Sequence, residues 1–305
     1  MSIRLRPYDR AKDFAVISNL LTETYPPGDA RFDNWPQPRW EYAHSHPWFD
    51  ELSTRSMGVW EDEGKIVAVA NYENRLGQAF FQVRPGYEHL KPEMLAYAEA
   101  RLHAHADDGH AYLRAWINDG DTEFEAIARE RGYTRREDLE DPYSRYLIPH
   151  PFPPISLPPG FQLKSLADEN DLYKINRVLY RGFNHPGEPP EDDEEIAGRK
   201  KMQSGPNFRP DLNIVAVAPD GQFVAYAGLW YVPANRMAYV EPVATDPDFR
   251  RLGLGKAAVL EGIRRCAKEG ATVAWVGSQQ PFYLAMGFEK ACAVRAWVKR
   301  VDAHR

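Results

Sequence analysis

The order of apolar and polar positions along this chain occurs twice. Residues 9–21 and 168–179 carry apolar side chains at helical spacing, and each segment follows a short strand pattern. Each predicted element occurs once in each half, and the residues of the first half are given before those of the second. In chain order the elements are a strand (3–6; 161–165), a helix (9–21; 168–179), a hairpin (57–61 with 65–72; 213–218 with 223–231), a third strand (79–84; 237–245), a second helix (92–103; 255–267), a fourth strand (112–117; 272–276) and a short helix ending in a glycine and an aromatic residue (Gly132-Tyr133; Gly287-Phe288). The chain is therefore predicted to be a tandem repeat of two α/β units, each with a mixed sheet.

A proline-rich segment separates the two repeats. Residues 149–160 contain six prolines. Because proline lacks the backbone N–H that a regular element needs, this segment is predicted to be a stiff linker. A chain of 305 residues is long enough for two domains with separate cores. We therefore predict domains at 1–148 and 161–305.

The composition is that of a globular protein, with 43% hydrophobic and 27% charged residues. The sequence contains neither a long apolar run nor an apolar stretch near its first residue, so we expect a cytoplasmic protein without a membrane partner. Cys266 and Cys292 fall on a predicted helix and a predicted strand, where buried reduced thiols are expected. A net charge of −6 argues against nucleic acid as a partner and suits a cationic amine.

The turn between the predicted strand 237–245 and the predicted helix 255–267 has the residue types of an anion site. It reads Arg250-Arg251-Leu252-Gly253-Leu254-Gly255-Lys256. Glycine has no Cβ, so backbone N–H groups can approach an anion closely, and the helix that follows adds the positive end of its dipole. The two arginines and the lysine supply fixed positive charge. A pyrophosphate group is the predicted ligand.

This turn differs from the two commonest phosphate-binding motifs. It lacks the Gly-Lys-Ser/Thr ending of a P-loop, and Ala258 stands where a dinucleotide-binding motif has its third glycine. The pattern Arg250-x-x-Gly253-x-Gly255 after a strand resembles instead the acyl-CoA signature of the GCN5-related N-acetyltransferase (GNAT) superfamily.

A second motif follows in the order that this family has. Tyr283 stands four residues before Gly287-Phe288, which resembles the family's second signature. The alternative explanation of both motifs is a tight strand-to-helix turn and a core tyrosine. The resemblance implies two tandem acyl-CoA N-acyltransferase folds, of the α/β class with an α+β mixed sheet, and acetyl-CoA as the cofactor.

The resemblance also implies roles for individual residues. The family transfers an acetyl group from acetyl-CoA to a primary amine, and Tyr283 matches the tyrosine that serves the departing CoA thiolate. Val243 and Thr245 are implied to offer backbone groups to the pantetheine arm. The asparagine that often hydrogen-bonds the cofactor in this family has no match here, and Ser278 or Gln279 is the expected substitute.

Glu241 is the candidate general base. It interrupts an otherwise apolar strand shortly before the turn. A carboxylate there is costly unless it faces a cleft, and partial burial raises a carboxyl pKa toward the range of a base. A water molecule is the other candidate for this role, and the structural alternative for Glu241 is a strand-end charge that reaches solvent.

The first half lacks both motifs. When it is aligned on Pro85 and Pro247, its turn carries Glu88 and Glu93 in place of an arginine and a glycine, and carboxylates repel phosphate. When the two Gly-aromatic pairs are aligned, Ala128 takes the place of the tyrosine. We predict that the first half is a scaffold that completes the substrate cleft. A lobe that binds a different ligand is the alternative.

These observations predict an N-acetyltransferase whose active site lies in the second half. Its substrate is predicted to be a primary amine of a small molecule or peptide, and the protein to be a monomer or a homodimer. The alternative from another class is a non-catalytic acyl-CoA binding or sensing protein, which would need the turn but neither Glu241 nor Tyr283. The His-x-His pairs at 44–46 and 103–105 have no third type of ligand at metal spacing, so no metal site is predicted.

Overall fold

The computed structural model describes residues 3–26 and 32–301 and contains helices and strands in mixed order. The helices are α1 (Arg10–Glu23), α2 (Gln37–Ser45), α3 (Lys91–Arg101), α4 (Thr122–Glu130), α5 (Leu172–Gly182), α6 (Asp193–Met202), α7 (Leu254–Lys268) and α8 (Pro281–Leu284). The strands are β1 (Arg4–Pro7), β2 (Gly58–Asp62), β3 (Lys65–Asn71), β4 (Gln78–Val83), β5 (Ala104–His105), β6 (Ala111–Asn118), β7 (Thr134–Leu147), β8 (Gln162–Ser165), β9 (Ile214–Val217), β10 (Phe223–Val232), β11 (Met237–Thr245), β12 (Val273–Val276) and β13 (Glu289–Val301). The predicted α/β class with a mixed sheet is confirmed.

Aspartate side chains define where several helices begin. Each accepts a hydrogen bond from a backbone N–H of the first turn, which would otherwise lack a partner. These caps are Asp9 for α1, Asp121 for α4, Asp171 for α5 and Asp192 for α6. Helix α5 therefore begins at Leu172, after its cap, and not at the predicted residue 168. Asp168 instead accepts hydrogen bonds from the backbone N–H and the hydroxyl of Ser165.

The chain forms two compact units. The first unit comprises the described residues of Met1–His44, Trp48–Pro142 and Cys292–Arg305. Its strands lie in the order β1-β2-β3-β4-β6-β13, and β4 runs parallel to β6. Its core is rich in aromatic side chains, among them the fully buried Trp40 and Trp60.

The second unit comprises Ser45–Pro47 and Tyr143–Ala291. Its strands lie in the order β7-β12-β11-β10-β9-β8, and β11 runs parallel to β12 while β10 is antiparallel to both of its neighbours. Helix α7 packs on this sheet through a buried face that includes Val259 and Ile263. This unit holds both of the motifs described above.

Part of the last strand of each sequence repeat lies in the unit of the other repeat. In the first unit, residues 294–301 of β13 pair with β6, and in the second unit, residues 144–147 of β7 pair with β12. These units differ from the predicted segments 1–148 and 161–305. The physical reason is that backbone hydrogen bonds are the same for any free sheet edge, so a strand pattern does not reveal which edge the strand joins.

The other predicted elements agree with the structure, apart from shifts of one or two residues at most ends. β11 has the predicted bounds, and both predicted hairpins form. Residues 149–160 contain no helix or strand, although Phe152 and Leu157 pack against apolar clusters of the second unit. Cys266 is buried in α7, where burial raises the pKa of its thiol to about 12, whereas Cys292 on β13 is only half-buried. Within residues 3–26 and 32–301, no helix is long and apolar enough to cross a membrane.

Candidate functional site

The site begins with a bulge in β11. Ala227 of β10 pairs with Val243, but Leu229 pairs with Val240, so two residues of β11 lie opposite the single residue Gly228. A Cβ on Gly228 would come within 2.6 Å of the Glu241 carbonyl oxygen, so the bulge requires glycine there. Sequence analysis missed Gly228, although a glycine inside an apolar strand pattern is a recognised signal of a bulge.

The sheet opens immediately after this bulge. Among the described residues, parallel pairing of β11 with β12 ends at Val240 and Val276, whereas β11 continues to Thr245 alongside β10 alone. The edge of β11 that faces away from β10 is thereby left for another partner. Val243 and Thr245, the two predicted backbone contacts, lie on this segment.

A cavity of about 750 Å³ occupies this opening, and it will be called the cofactor cavity. It has the size of a site for a small organic ligand. The predicted residues that line it are Val243, Thr245, Arg250, Arg251, Gly253, Leu254, Gly255, Lys256 and Tyr283. Further lining residues that sequence analysis did not assign to the cofactor are Gly182, Phe183, Asn184, Ala244, Phe249, Gln280, Phe282, Ala285 and Met286.

The turn of residues 250–256, called the glycine loop below, forms one wall of this cavity. Gly253 has a φ of +81°, a left-handed conformation that glycine adopts without strain, and it precedes α7 without a side-chain cap. Gly255 is needed for a different reason: its Cβ would come within 2.6 Å of the Thr245 hydroxyl oxygen. The first turn of α7 thus packs closely on the end of β11.

The glycine loop carries unneutralised positive charge. The Arg250 guanidinium donates to the carbonyl oxygens of Thr245 and Gly182 at 3.2 and 3.0 Å and to the Asn184 side-chain oxygen at 2.7 Å, all uncharged partners. Arg251 and Lys256 are exposed. Within the part of the chain that the structure describes, none of the three pairs with a carboxylate. Three cations without a carboxylate partner in a protein of net charge −6 mark a site for an anion.

Asp246, next to the loop, does not cancel this charge. Its fully buried carboxylate pairs with Arg177 at 3.0 Å and with Arg181 at 2.8 Å. Burial acts to raise the pKa of Asp246, but the hydrogen bonds from Arg181 and from the Asp248 N–H outweigh it, and the pKa is lowered. The carboxylate is therefore neutralised by arginines of α5.

Tyr283 lies on α8 and borders the cavity with only 8% of its surface exposed. Its ring makes edge contacts with Phe282 and Phe288 at centroid distances of 5.0 and 5.7 Å. Burial, and secondly the negative charge of Glu241, raise the pKa of the Tyr283 phenol well above its usual range. The hydroxyl is therefore protonated at neutral pH and is able to donate a hydrogen bond or a proton.

Three predicted residues lie outside the cavity lining. Glu241 is half-buried in the bulge, and its charge acts on Tyr283, but it does not line the cofactor cavity itself. Ser278 accepts a hydrogen bond from the Gln280 N–H at 3.2 Å in the turn before α8. Leu252 is 45% exposed and lines a different cavity. Position in a motif did not reveal which way these side chains face.

Apolar residues form much of the remaining cavity wall. Phe183 and Phe282 are exposed by 50% and 36%, and Met286 is nearly buried. Phe282 and Met286 lie within the second motif, so the sequence could have indicated that they line the cavity. Phe183 follows α5, which approaches β11 so closely that a Cβ on Gly182 would lie 2.7 Å from that of Ala244.

The corresponding turn of the first unit has a different arrangement. The Glu88 carboxylate accepts from the Gly86 N–H at 2.9 and 3.1 Å, so it occupies a donor that an anion would need. Glu93 accepts from the Trp60 indole at 2.9 Å. Tyr133 N–H donates to the Ala128 carbonyl at 3.0 Å, as Phe288 does to Tyr283 at 3.2 Å, which supports the predicted alignment of alanine with tyrosine.

The alignment of the two turns needs one correction. Helix α3 begins at Lys91, six residues after Pro85, whereas α7 begins at Leu254, seven residues after Pro247. Aligned on the helix starts, Glu93 matches Lys256 and not the predicted Gly255. A one-residue difference in turn length caused the error. With the corrected alignment, the first unit still has a carboxylate where the second unit has a cation.

No group of three or more potential metal ligands occurs in residues 3–26 and 32–301.

The chain was compared with known protein families and sequences. Residues 170–288 match the family described as acetyltransferase (GNAT). An uncharacterised N-acetyltransferase of Methanocaldococcus jannaschii is 31% identical over 87 residues, which cover 26% of this chain and 38% of that protein. The mycothiol acetyltransferase of a Nocardioides species is 28% identical over 173 residues, which cover 52% of this chain and 57% of that protein. The chain thus matches only part of the length of each relative.

A solved structure resembles this protein over its whole chain. The tandem GNAT protein from the clavulanic acid biosynthesis pathway, determined without AcCoA, has a TM-score of 0.65 and 12% sequence identity, with 100% of both chains covered. At this identity the likeness shows the fold. The predicted tandem fold and the predicted resemblance to the superfamily are therefore confirmed.

Proposed function

We propose that this chain, whose residues 170–288 match the GNAT acetyltransferase family, transfers the acetyl group of acetyl-CoA to a primary amine. The proposed active site lies in the second unit, and the proposed acceptor is a small molecule or a peptide. One observation carries the proposal: a single cavity is lined both by a glycine loop with three unpaired cations and by a buried tyrosine that retains its proton.

The residues present fit acetyl-CoA. Arg250, Arg251 and Lys256 offer charge to its phosphates, and the first turn of α7, which has no side-chain cap, offers backbone N–H groups. The unpaired edge of β11 at 243–245 offers backbone groups to the pantetheine amides, whose spacing allows strand-like pairing. Phe282 and Met286 provide apolar contact for the methylene groups. Bound acetyl-CoA supplies an acetyl thioester.

Tyr283 is the proposed general acid. When the new C–N bond forms and the C–S bond breaks, the sulfur leaves as a thiolate that needs a proton. The Tyr283 hydroxyl holds one because burial and the charge of Glu241 oppose its ionisation. Edge contacts with Phe282 and Phe288 hold the ring in place, which keeps the donor pre-oriented.

Glu241 is the proposed general base, directly or through one water molecule. A primary amine must lose a proton to react, and a carboxylate near the cavity favours that loss. The charge of Glu241 acts on Tyr283, which borders the cavity, and this effect supports the role. The first unit is proposed as a scaffold without a cofactor site, since Glu88 occupies a donor of its own turn.

A screen of acceptors tests this proposal. The full chain is incubated with acetyl-CoA and a panel of primary amines that includes polyamines, amino acids, aminoglycosides and peptides, and free CoA is measured. Release of CoA that depends on one class of amine is the expected result. Tight CoA binding without turnover on any amine would favour the acyl-CoA binding protein instead.

A further inference from the structure

A second cavity borders the glycine loop and the start of α7. It measures about 420 Å³ and will be called the linker cavity. One wall is the segment 154–158, which the sequence analysis treated as a spacer between repeats. The opposite wall is the start of α7, with Leu252, Lys256 and Leu260 among its residues.

The linker cavity adjoins the cofactor cavity, because two residues belong to both linings. Gly253 and Lys256 line both of them. A ligand whose charged middle rests on the glycine loop can therefore extend one end into each cavity. CoA has this architecture: a pantetheine arm, a central pyrophosphate and a 3′-phosphorylated adenosine.

The chemistry of the linker cavity suits the adenosine end. Pro154, Ile155 and Leu157 present apolar surface, and Leu252 is 45% exposed from the facing side, which suits a flat purine ring. Lys256 is exposed and, within the described residues, has no carboxylate partner, so its charge is available to a phosphate.

The wall formed by the linker is held in place. Leu157 packs on a cluster of the second unit together with Phe161 and Phe249. The rings of Phe161 and Phe249 meet edge to face at 6.1 Å. Because Phe249 immediately precedes Arg250, this contact ties the end of the linker to the start of the glycine loop. Prolines further restrict the backbone, so little conformational entropy is lost when a ligand binds.

We propose that residues 154–158 and the start of α7 form the subsite for the 3′-phosphoadenosine end of CoA. The segment between the sequence repeats is then part of the cofactor site and not a spacer. The occupant follows from the two residues that the cavities share and from Lys256, which lines both and has no carboxylate partner among the described residues. This inference rests on the proposed function, because it assigns the remaining end of the same ligand.

Calorimetry with three ligands tests the proposal on the full chain. The ligands are CoA, 3′-dephospho-CoA, which lacks one phosphate, and 4′-phosphopantetheine, which lacks the adenosine. The parent protein should bind them with affinity falling in that order, by about tenfold or more overall. If it binds none of them, the proposed function fails and this inference fails with it. If it binds all three equally well, the site for CoA stands and the adenosine subsite is wrong.

Two variants locate the subsite. Ile155→Glu places a carboxylate in the linker cavity and should weaken CoA by about tenfold or more while phosphopantetheine binding is unchanged. Leu52→Glu, at a 97% exposed position of the first unit, is the matched control and should change neither. Lys256→Gln should reduce the preference for CoA over dephospho-CoA.

The ratio of affinities separates this effect from a loss of folding. A misfolded second unit would lose CoA and phosphopantetheine together, and Ile155→Ala then provides the milder variant, which should lower the CoA affinity alone. An unchanged CoA to phosphopantetheine ratio in both Ile155 variants would overturn the proposal. So would an unchanged preference for CoA over dephospho-CoA in Lys256→Gln.

Discussion

Gly255 lies directly against Thr245, so closely that a Cβ on the glycine would come within 2.6 Å of the threonine hydroxyl oxygen. Gly253 has a different requirement: its φ is +81°, and among the described residues an added Cβ would meet no atom within 4 Å beyond its chain neighbours. The two glycines of one motif therefore have separate physical purposes. One lets α7 pack on β11, and the other permits the backbone turn.

Substitution of each glycine should reveal this difference. Gly255→Val should displace Thr245 from the cavity wall, destabilise the second unit by about 1–3 kcal/mol and abolish CoA binding. Gly253→Ala should cost about 1–2 kcal/mol through its backbone angle but weaken CoA binding by less than about tenfold. Thermal unfolding and calorimetry with CoA measure both effects. Equal loss of CoA affinity in the two variants would contradict the assignment.

The full chain should bind one equivalent of CoA. The glycine loop offers free donors and cations, whereas the matching turn of the first unit has its Gly86 N–H occupied by Glu88. Titration calorimetry gives the stoichiometry directly. The Gly255→Val variant should bind no CoA, and Glu88→Gln, the control in the first unit, should still bind one equivalent. A stoichiometry of two in the parent would show that the first unit also holds the cofactor.

Removal of the Tyr283 hydroxyl should reduce turnover without loss of the cofactor. Tyr283→Phe keeps the ring contacts with Phe282 and Phe288 and should lower kcat by about 10²–10⁴-fold, while the CoA affinity changes little. The matched control is Tyr231→Phe, which removes a hydroxyl that donates to the Glu269 carbonyl at 2.8 Å outside the cofactor cavity. Equal rates in the parent and Tyr283→Phe would exclude the tyrosine as the acid.

The pH dependence should identify the role of Glu241. Because burial and the Glu241 charge raise the pKa of Tyr283, the acid should retain its proton to beyond the usual phenol value of about 10, and kcat should not fall between about pH 8 and 10. Glu241→Gln should lower the rate at neutral pH and recover part of it at high pH, where the free amine loses its proton without help. A loss that is the same at every pH would point to a structural role of Glu241 in the bulge.

The buried ion pair of Asp246 should stabilise the second unit. Asp246→Asn leaves Arg177 and Arg181 without their common partner and should lower the free energy of unfolding by about 3 kcal/mol at pH 7. Since the folded pKa of Asp246 is lowered, the parent keeps this stabilisation above the unfolded value of about 4 and loses it as the pH falls through the folded value. Urea unfolding of parent and variant at pH 7 and pH 3 should therefore show a difference that shrinks in acid.

The sequence by itself determined the elements and the composition of the glycine loop. Helical periodicity, the turns of the two hairpins and the lack of first-half counterparts to Gly253 and Gly255 depend on residues close together in the chain, and such local signals are legible without a structure. The two halves could be told apart for the same reason. Tyr283 was predicted as a site residue because its spacing to Gly287 is local as well.

Only the tertiary structure decided how these elements combine. The exchange of β7 and β13, the bulge opposite Gly228 and the approach of Gly182 to Ala244 each join residues that are far apart in sequence. Strand pairing uses backbone groups that every residue has, so the pattern of side chains does not specify the partner. The direction in which a side chain points also depends on this packing. For that reason Ser278 was predicted at the cofactor but does not line the cofactor cavity, while residues 154–158 were expected to be a spacer and form the wall of a cavity.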